Sequence, residues 1–402
     1  TAGFAQHDPF PDRQVHIRRF DERVRFMSSK ARPKKVSVTT TETGETVHFL
    51  VKQERNGDLR KDARLMEFNG VVNRLLQAAA TGRRRKLRLR TYSVICLNEE
   101  CGILEWVPNT EGIRNVVNEA YKSLPNVRAL PSFVSIRQVL DRAQQLATTD
   151  PERMLQQMYR NDVLPFFPPS FHVWFLERFP EPTAWFEARA LFTRSAAAWA
   201  AVGHVVGLGD RHGENVLLDT ASGECVHVDF DCIFDKGLTL QRPEIVPFRL
   251  TPNMVDAMGV TGYEGLFHGA LEASLQVLRD NRETLLSVIE PFLRDPTVGW
   301  ARTGRAQRDD SVPGAGGGGG SGYGVGYGDT AAAAAAGQEA DNDEATAQLK
   351  VIDERLRGIY NLRVNNKKAG GHGHAGGNVA AGGGGGEAEE LPLSVQGQAR
   401  RL

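Results

Sequence analysis

The chain has 402 residues, which is enough for one large or two smaller hydrophobic cores and therefore for an enzyme. Its 49 basic and 49 acidic side chains cancel, so no overall charge draws it to nucleic acid or to an anionic membrane, and any association with DNA is expected to be indirect. No apolar run approaches the roughly 18 residues of a membrane span. Four widely spaced cysteines favour strand or core thiols in a reducing compartment over disulfides or a zinc site. The polar start without a leader is typical of a piece of a longer protein.

The first predicted strands follow a polar stretch that contains several prolines, residues 1–22. They are Val24–Met27 and Val36–Thr40, and the connector 28–35 between them is short and basic. Such a connector can place backbone N–H groups and the hydroxyl of Ser29 on phosphates. A solvated hairpin tip would have a similar sequence, so the connector alone is weak support for a phosphate site.

A lysine ends the next predicted strand, Val47–Lys52, and an acid-led helix follows it. The helix is indicated by apolar residues at helical spacing: Leu65, Phe68, Val71, Val72, Leu75 and Leu76. An acid near its start would be able to pair with Lys52 and hold the ammonium against a phosphate. Glu54, Asp58 and Asp62 all lie near enough in sequence for this role.

Two more apolar runs, Leu89–Leu97 and Cys101–Val107, predict strands. The basic run at 83–90 that leads into them is interpreted as a solvated loop rather than as a nucleic-acid patch. Trp106, judged by itself, would be a core aromatic residue.

Residues 111–206 predict helices, of which an aromatic one at Phe171–Phe179 and an alanine-rich one at Trp185–Val206 are the most apolar. We expect these helices to form the core of a large lobe.

Two acidic clusters flank a predicted hairpin at residues 207–231. The strands are Val216–Leu218 and Cys225–Val228, and turn-forming residues join them. Asp210, His212 and Asn215 precede the first strand, and Asp229 and Asp231 follow the second. A hairpin would bring both clusters to one end, where carboxylates, an imidazole and an amide suit phosphoryl transfer with a divalent metal. Metal-dependent hydrolysis would need similar groups.

The rest of the chain changes in composition. Residues 243–251 are irregular and contain two prolines, and residues 252–299 predict helices. Glycine tracts at 314–328 and 370–386 bury too little apolar surface to order themselves, so disorder is expected there. One helix is predicted between them, near 343–360.

Most protein kinases have the motifs His-Arg-Asp and Asp-Phe-Gly. This chain has Asp-Arg-His at 210–212, which inverts the first motif, and Asp-Phe-Asp at 229–231, which replaces the glycine of the second. This pattern resembles the phosphatidylinositol 3-kinase-related protein kinases, and most closely their DNA-damage checkpoint branch. The segments that carry the resemblance are RPKK, DLRKDARLMEFN, CGILEWV, GLGDRHGEN, GECVHVDFDCIF and PEIVPFRLT. They cover roughly residues 10 to 300 in order.

The resemblance implies an α+β, bilobal protein kinase-like fold of the PI3K/PI4K type, with a small β-rich N-lobe and a larger helical C-lobe. The expected divisions are a lead-in (1–22), the N-lobe and hinge (23–107), the C-lobe with its catalytic and activation loops (108–300), a largely disordered regulatory linker (301–390) and the start of a truncated FATC segment (391–402).

The resemblance also implies ATP with Mg²⁺ or Mn²⁺ as cofactors. Lys52, paired with Asp62, is then expected on the α- and β-phosphates, and Ser29 on the loop that covers them. Asn215 and Asp229 become metal ligands. Asp210 orients the substrate hydroxyl or accepts its proton, and His212 lies near the γ-phosphate.

For the adenine, the resemblance implies backbone bonds at Glu105 and Val107 and stacking on Trp106. The remaining residues expected around the nucleotide are Leu50, Tyr92, Leu217 and Val228. Asp231, which stands where many kinases have glycine, receives no role.

The implied function is that of a nuclear serine/threonine protein kinase that phosphorylates Ser or Thr before Gln in checkpoint signalling. A partner subunit is expected to bind the missing N-terminal region, DNA association would be indirect, and no membrane is involved. The alternatives are a sister kinase of the same family, a phosphatidylinositol kinase and a pseudokinase scaffold. A lipid kinase needs a basic activation segment to meet inositol phosphates, whereas residues 235–251 contain only Lys236, Arg242 and Arg249.

Overall fold

The computed structural model describes residues 15–27, 32–53, 59–98, 100–124, 137–139, 141, 156–240, 243–295, 329–359 and 392–402. Ser29, Glu54, Asp58 and the two glycine tracts lie outside the described residues. The chain divides into two compact units. One comprises Thr1–Val72, Ser93–Glu105 and Leu278–Gln398, and the other comprises Asn73–Tyr92, Trp106–Val277 and Ala399–Leu402.

Among the described residues, the first unit contains a six-stranded antiparallel sheet. Its strands are β1 (Ile17–Phe20), β2 (Arg25–Phe26), β3 (Lys34–Thr40), β4 (Thr46–Gln53), β5 (Val94–Cys96) and β6 (Cys101–Glu105). Their order is β1-β3-β4-β6-β5, and β2 also pairs with β3. Sequence reasoning missed β1, because all four of its residues are exposed and show no apolar alternation. The strands β2 and β5 are shorter than predicted.

Helix α1 (Leu59–Ala78) begins against this sheet, as its apolar spacing predicted. Leu59, Leu65 and Phe68 are each 1% exposed. A Cβ on Gly102 of β6 would lie 3.0 Å from Leu59 Cδ1 and 2.8 Å from the Ile95 carbonyl oxygen. Glycine at this position therefore lets the start of α1 approach the strand closely.

The second unit is mainly helical. It holds the end of α1, then α2 (Ala80–Arg85), α3 (Ile113–Ser123), α4 (Phe171–Arg178), α5 (Pro182–Val206), α6 (Pro252–Ala257) and most of α7 (Leu266–Asp280). Short turns of other helix types lie at Tyr159–Val163, Leu164–Phe166, Lys236–Thr239 and Gly262–Glu264. A small antiparallel sheet has the order β7 (Thr110–Gly112), β8 (Val216–Asp219), β9 (Cys225–His227). Strand β7 was not predicted, because three residues are too few to show a period.

Helix α5 forms the centre of the second unit. Glu181 caps it by accepting hydrogen bonds from the backbone N–H groups of Thr183 and Ala184, at 3.0 and 2.7 Å. It ends at Gly207, whose φ of 60° lies in the left-handed region that glycine adopts without strain. Its buried face includes Trp199, which is 1% exposed, so the prediction of an apolar helical core is confirmed. Of the helices that the structure describes, none combines the length and apolarity that a membrane crossing requires.

The aromatic helix α4 packs against α5. Phe171, Phe175 and Phe192 are each 0% exposed, and their ring centroids lie 5.2 to 5.7 Å apart. Aromatic pairs at these separations add attraction beyond their buried area.

The basic run is only partly solvated. Arg83, Arg84 and Arg85 end helix α2, whereas Arg88 and Arg90 form ion pairs with acids of the β8–β9 hairpin. Arg88 binds both carboxylate oxygens of Glu224, at 3.0 and 2.8 Å. Arg90 Nη1 lies 2.9 Å from Asp219 Oδ2 and 3.4 Å from Glu224 Oε2. Arg88 is still 56% exposed, as a solvated loop predicts, whereas Arg90 is 23% exposed and the expectation is wrong there. The partners of both residues are more than a hundred positions away.

The C-terminal part of the first unit contains α8 (Arg282–Leu293), α9 (Asp329–Arg357) and α10 (Val395–Arg401), of which Ala399 onward belongs to the second unit. Helix α9 begins earlier than the predicted 343, because the alanine run at 331–336 is helical, as alanine favours. Arg282 Nε lies 2.7 Å from Asp353 Oδ1 and joins α8 to α9. The Arg279 guanidinium donates to the carbonyl oxygens of Leu393 and Arg357, at 2.9 and 3.0 Å.

The four cysteines are free, as predicted. Cys96 and Cys101 lie on β5 and β6, and Cys225 and Cys232 are buried in the second unit. Burial raises the pKa of the Cys232 thiol to about 11, so it is protonated at neutral pH.

Arg90→Met tests the buried ion pairs. The change removes the cation that pairs with Asp219, which is 5% exposed, and should lower the free energy of unfolding by about 1.5–3 kcal/mol, the usual contribution of a hydrogen bond to a charged group. Chemical unfolding followed by fluorescence measures it. Arg84→Met on the exposed surface of α2 is the control, and equal stability of the two variants would contradict the prediction.

Candidate active site

The two acidic clusters contain strained backbone. Asp210 has a φ of 56° and Asp229 a φ of 63°, in the left-handed region that residues with a side chain seldom adopt. Such conformations persist only where the surroundings hold them, and they are common at functional sites. Here they fall at the two aspartates that the sequence analysis selected.

The predicted hairpin brings the clusters together. Strands β8 and β9 pair with Val216 opposite His227, and the Val228 N–H donates to the Asn215 carbonyl oxygen at 3.0 Å. The Asn215 side-chain amide in turn donates to the Asp210 carbonyl oxygen at 2.9 Å. Asp210, Asn215 and Asp229 therefore meet at one end of the hairpin, and this part of the prediction is confirmed.

Arg211 joins the loop before β8 to the loop after β9, a role that sequence reasoning missed. Its side chain donates to the carbonyl oxygens of Gly209 and Val228, both at 2.8 Å, and to that of Asp229. It is 5% exposed and lies over the Phe230 ring, 5.5 Å from the centroid. Burial lowers the pKa of the guanidinium, while Asp229 and Asp210 favour its charged form. The only sequence signal was its place between Asp210 and His212.

His212 lies beside Asp210 at the surface. Its Nε2 is 4.0 Å from Asp210 Oδ2, which is too long for a hydrogen bond. Its Nδ1 is 3.2 Å from the Glu214 backbone nitrogen, whose N–H donates to it. Because Nδ1 accepts, the neutral ring carries its proton on Nε2, the nitrogen on the side of Asp210.

Asn215 and Asp229 fit a hard divalent cation. Since the amide nitrogen of Asn215 is used by the Asp210 carbonyl, its oxygen is the atom that would face a metal, and Asp229 would add a carboxylate. Within the described ranges, no group of three or more His, Cys, Asp or Glu side chains could hold a metal ion. A Mg²⁺ ion suits such a sparse set, because it keeps several waters and takes ligands from phosphates.

Two acids next to these loops have structural partners. Asp231 Oδ2 lies 2.8 Å from Lys236 Nζ, so this third acid is ion-paired with a lysine five positions later. Glu244, which the sequence analysis did not select, accepts a hydrogen bond from the Asp210 N–H at 2.7 Å.

The predicted residues of the first unit lie around β4 and α1. Lys52 is 8% exposed on β4 opposite Gly102, the glycine that the start of α1 contacts. Asp62 lies in the first turn of α1 and is 3% exposed. Leu50 pairs with Leu104 in register. Lys52 and the start of α1, which carries Asp62, thus both lie next to Gly102 of β6. The Lys52–Asp62 ion pair itself stays a prediction.

Three predicted adenine contacts lie at the end of β6 and just after it. The Glu105 N–H donates to the Ser93 carbonyl oxygen at 2.8 Å. The Val107 carbonyl accepts from the Thr110 hydroxyl at 2.8 Å, so Val107 would bind adenine through its N–H. Trp106 is half-buried in the second unit.

The remaining predicted contacts belong to the second unit. Tyr92 is 4% exposed and stacks on Phe230, with ring centroids 6.4 Å apart. Leu217 lies on β8, and Val228 follows β9 beside Asp229. Tyr92 and Val228 therefore lie next to the second acidic cluster, and the nucleotide contacts of all three residues stay predictions.

Comparison with known proteins agrees with the fold and the resemblance that the sequence predicted. The sequence model described as phosphatidylinositol 3- and 4-kinase matches residues 47–302, more than half of the chain. The chain belongs to this family. The predicted α+β, bilobal kinase-like fold is confirmed, and the match includes every candidate residue except Ser29.

The relatives confirm the predicted branch. The chain is 41% identical to serine/threonine-protein kinase ATR of Oryza sativa subsp. indica over 94% of its length, and 47% identical to protein kinase rad3 of Schizosaccharomyces pombe over 75%. Among solved structures, it resembles the FAT and kinase domain of CtTel1 with a TM-score of 0.70 and 30% identity, over 88% of this chain and 22% of that one. The chain spans 12% of the length of the ATR and rad3 proteins.

Arg211→Met tests the link between the two loops. The variant leaves three carbonyl oxygens without their donor and should lose about 3 kcal/mol or more of stability, since breaking a buried charged network is costly. Thermal unfolding and proteolysis within 207–231 measure the effect. The control is Arg114→Met, which removes only an exposed pair with Glu214 and should change stability by less than about 1 kcal/mol. A variant at 211 that is as stable as this control would show that the guanidinium does not hold the loops.

Proposed function

We propose that the chain is the catalytic region of an ATP-dependent serine/threonine protein kinase of the phosphatidylinositol 3-kinase-related family. The observation that carries the proposal is the end of the β8–β9 hairpin, where Asp210, Asn215 and Asp229 meet on loops joined by Arg211. One carboxylate for the substrate and an amide with a second carboxylate for a metal are the groups that phosphoryl transfer needs.

In this mechanism Asp210 accepts or orients the proton of the incoming hydroxyl. Its side chain is 49% exposed, which leaves it accessible to a substrate. His212 offers an Nε2–H beside it and would donate to a phosphoryl oxygen as negative charge develops. Asn215 and Asp229 would hold Mg²⁺ or Mn²⁺, and bound metal–ATP supplies the phosphoryl group and neutralises its charge.

In the first unit, Lys52 would neutralise the α- and β-phosphates and Asp62 would hold it in place. Ser29 on the phosphate-covering connector, and the adenine contacts of Glu105, Trp106 and Val107, complete the proposed nucleotide residues. The boundary between the lobes at residues 107 and 108 is part of the same proposal.

Protein is the proposed substrate class, with Ser or Thr before Gln as the sites. The activation segment contains few basic residues in its described parts, 235–240 and 243–251. These parts contain two, Lys236 and Arg249, and Lys236 is ion-paired with Asp231. An inositol phosphate headgroup would lack the basic cluster that it needs. The identity with ATR and rad3 kinases supports the same choice over a phosphatidylinositol kinase or a pseudokinase.

The proposed biological role is DNA-damage and replication-stress checkpoint signalling in the nucleus. The longer protein would be brought to DNA indirectly, through a partner subunit that binds outside this chain. The similarity to ATR and rad3 kinases supports this role.

Asp210→Ala and Asp229→Ala separate the two carboxylate roles. Asp210→Ala should lower phosphate transfer by about 10²- to 10⁴-fold, the usual contribution of a positioned acid–base group, and leave nucleotide affinity unchanged. Asp229→Ala should weaken binding of Mg²⁺–ATP as well. Kinetics and binding of a fluorescent ATP analogue, in the full-length protein, measure both. Glu214→Gln, an exposed change in the same loop, is the control, and normal transfer by either alanine variant would refute the assignment.

Substrate class is tested with labelled ATP and three acceptors. Transfer to a Ser-Gln peptide should exceed transfer to the matched Ser-Ala peptide and to phosphoinositide vesicles, and it should require Mg²⁺ or Mn²⁺. Preferential labelling of the vesicles would favour the lipid-kinase alternative.

A further inference from the structure

Glu244 reaches from the proposed activation segment, residues 235–251, to the catalytic loop, which is the loop of Asp210 and His212 before β8. Its Oε2 accepts a hydrogen bond from the Asp210 backbone N–H at 2.7 Å, and its own N–H donates to the Gly237 carbonyl oxygen at 3.0 Å. A carboxylate acceptor makes the first bond charge-assisted and stronger than a bond between neutral groups. Glu244 is thus tied to the backbone of the residue assigned to the substrate hydroxyl.

Two glycines make room for this carboxylate. A Cβ on Gly209 would lie 2.8 Å from Glu244 Oε2, and a Cβ on Gly237 would lie 2.9 Å from it. Neither glycine has a positive φ, so backbone conformation does not require glycine at either position. The Glu244 carboxylate is therefore the closest atom to a side chain at both positions, and at Gly209 the Cys232 sulfur and the Gly237 Cα, at 2.9 and 3.0 Å, restrict the space further.

The bond acts where the backbone is strained. Asp210 holds a φ of 56°, and in this conformation its N–H donates to Glu244. The Asn215 amide holds the carbonyl side of the same residue. Glu244 and Asn215 together thus hold both polar groups of the Asp210 backbone and with them the direction of its side chain.

The neighbours of Glu244 point to solvent. Ile245 and Val246 are 63% and 65% exposed, whereas Glu244 is half-buried against the catalytic loop. A polypeptide that contacts these two apolar residues would therefore affect the backbone that positions Glu244.

We propose that Glu244 is a positioning residue, which holds Asp210 in its left-handed conformation and makes that conformation depend on the activation segment. The inference rests on the proposed phosphotransfer function, since it gives Glu244 its effect through Asp210.

The test compares Glu244→Ala with Glu244→Gln in the full-length protein. Loss of the acceptor in Glu244→Ala should lower kcat by ~10- to 100-fold, as small misplacements of a catalytic group do, with KM for ATP within about twofold of the wild type. The glutamine variant keeps an acceptor oxygen and should recover most of kcat. Glu214→Gln, which changes an exposed acid of the same loop, is the matched control.

Hydrogen exchange gives a readout that does not need activity. The Asp210 amide should exchange faster in Glu244→Ala than in the wild type or in Glu244→Gln. Should the alanine variant fail to fold, Glu244→Asp, whose carboxylate is one methylene too short, carries the same comparison.

Unchanged exchange or unchanged kcat in Glu244→Ala would overturn the proposal, and so would a glutamine variant as impaired as alanine. If the wild type transferred no phosphate, the proposed function would fail. The exchange experiment would still show whether Glu244 holds Asp210.

Discussion

The arrangement of the candidate site depends on one buried cation. Arg211 donates to carbonyl oxygens at Gly209, Val228 and Asp229, and so joins the loop before the β8–β9 hairpin to the loop after it. A guanidinium suits this position because its N–H groups diverge in a plane and it stays charged when buried. The Phe230 ring beneath it and the nearby aspartates offset part of the cost of removing the charge from water. The loops that carry Asp210 and Asp229 are therefore positioned by Arg211, which takes no part in the proposed chemical step.

The scaffold around this cation is apolar and aromatic. Trp199 of α5 stacks on His227, with centroids 4.6 Å apart, and on Phe230, so the hairpin packs directly on the central helix. Burial lowers the pKa of His227 well below its usual value, and it therefore stays neutral inside this stack. On the other side of the hairpin, Arg88 and Arg90 neutralise Glu224 and Asp219. Strained residues such as Asp210 and Asp229 are tolerated because both sides of the hairpin are held.

The acids of this region divide into two groups by their partners. Asp231 and Glu244 have partners in the protein, a lysine ammonium and a backbone N–H. The Asp210 side chain, in contrast, is 49% exposed. An acid that is already bound within the protein has less capacity for a cation or a substrate, so Asp231 and Glu244 are better suited to shaping the site than to acting in it. Sequence proximity had placed Asp229 and Asp231 together, although only the first follows the hairpin directly into the site.

The sequence by itself determined the β-rich and helical segments, the hairpin at 216–228, the family and the selection of Asp210, Asn215 and Asp229. These depend on local periodicity, turn residues and short motifs, which are readable within a few positions. Only the tertiary structure decided that Arg211 joins both loops, that Glu244 accepts from the Asp210 N–H, and that Arg88 and Arg90 pair with acids of the hairpin. Strands β1 and β7 were also missed, because one is exposed and the other has three residues. Apart from the local bond of Arg211 to Gly209, the physical reason is common to these contacts: partners that lie 17 to 136 positions apart meet only after the chain has folded, and no local pattern records their distance.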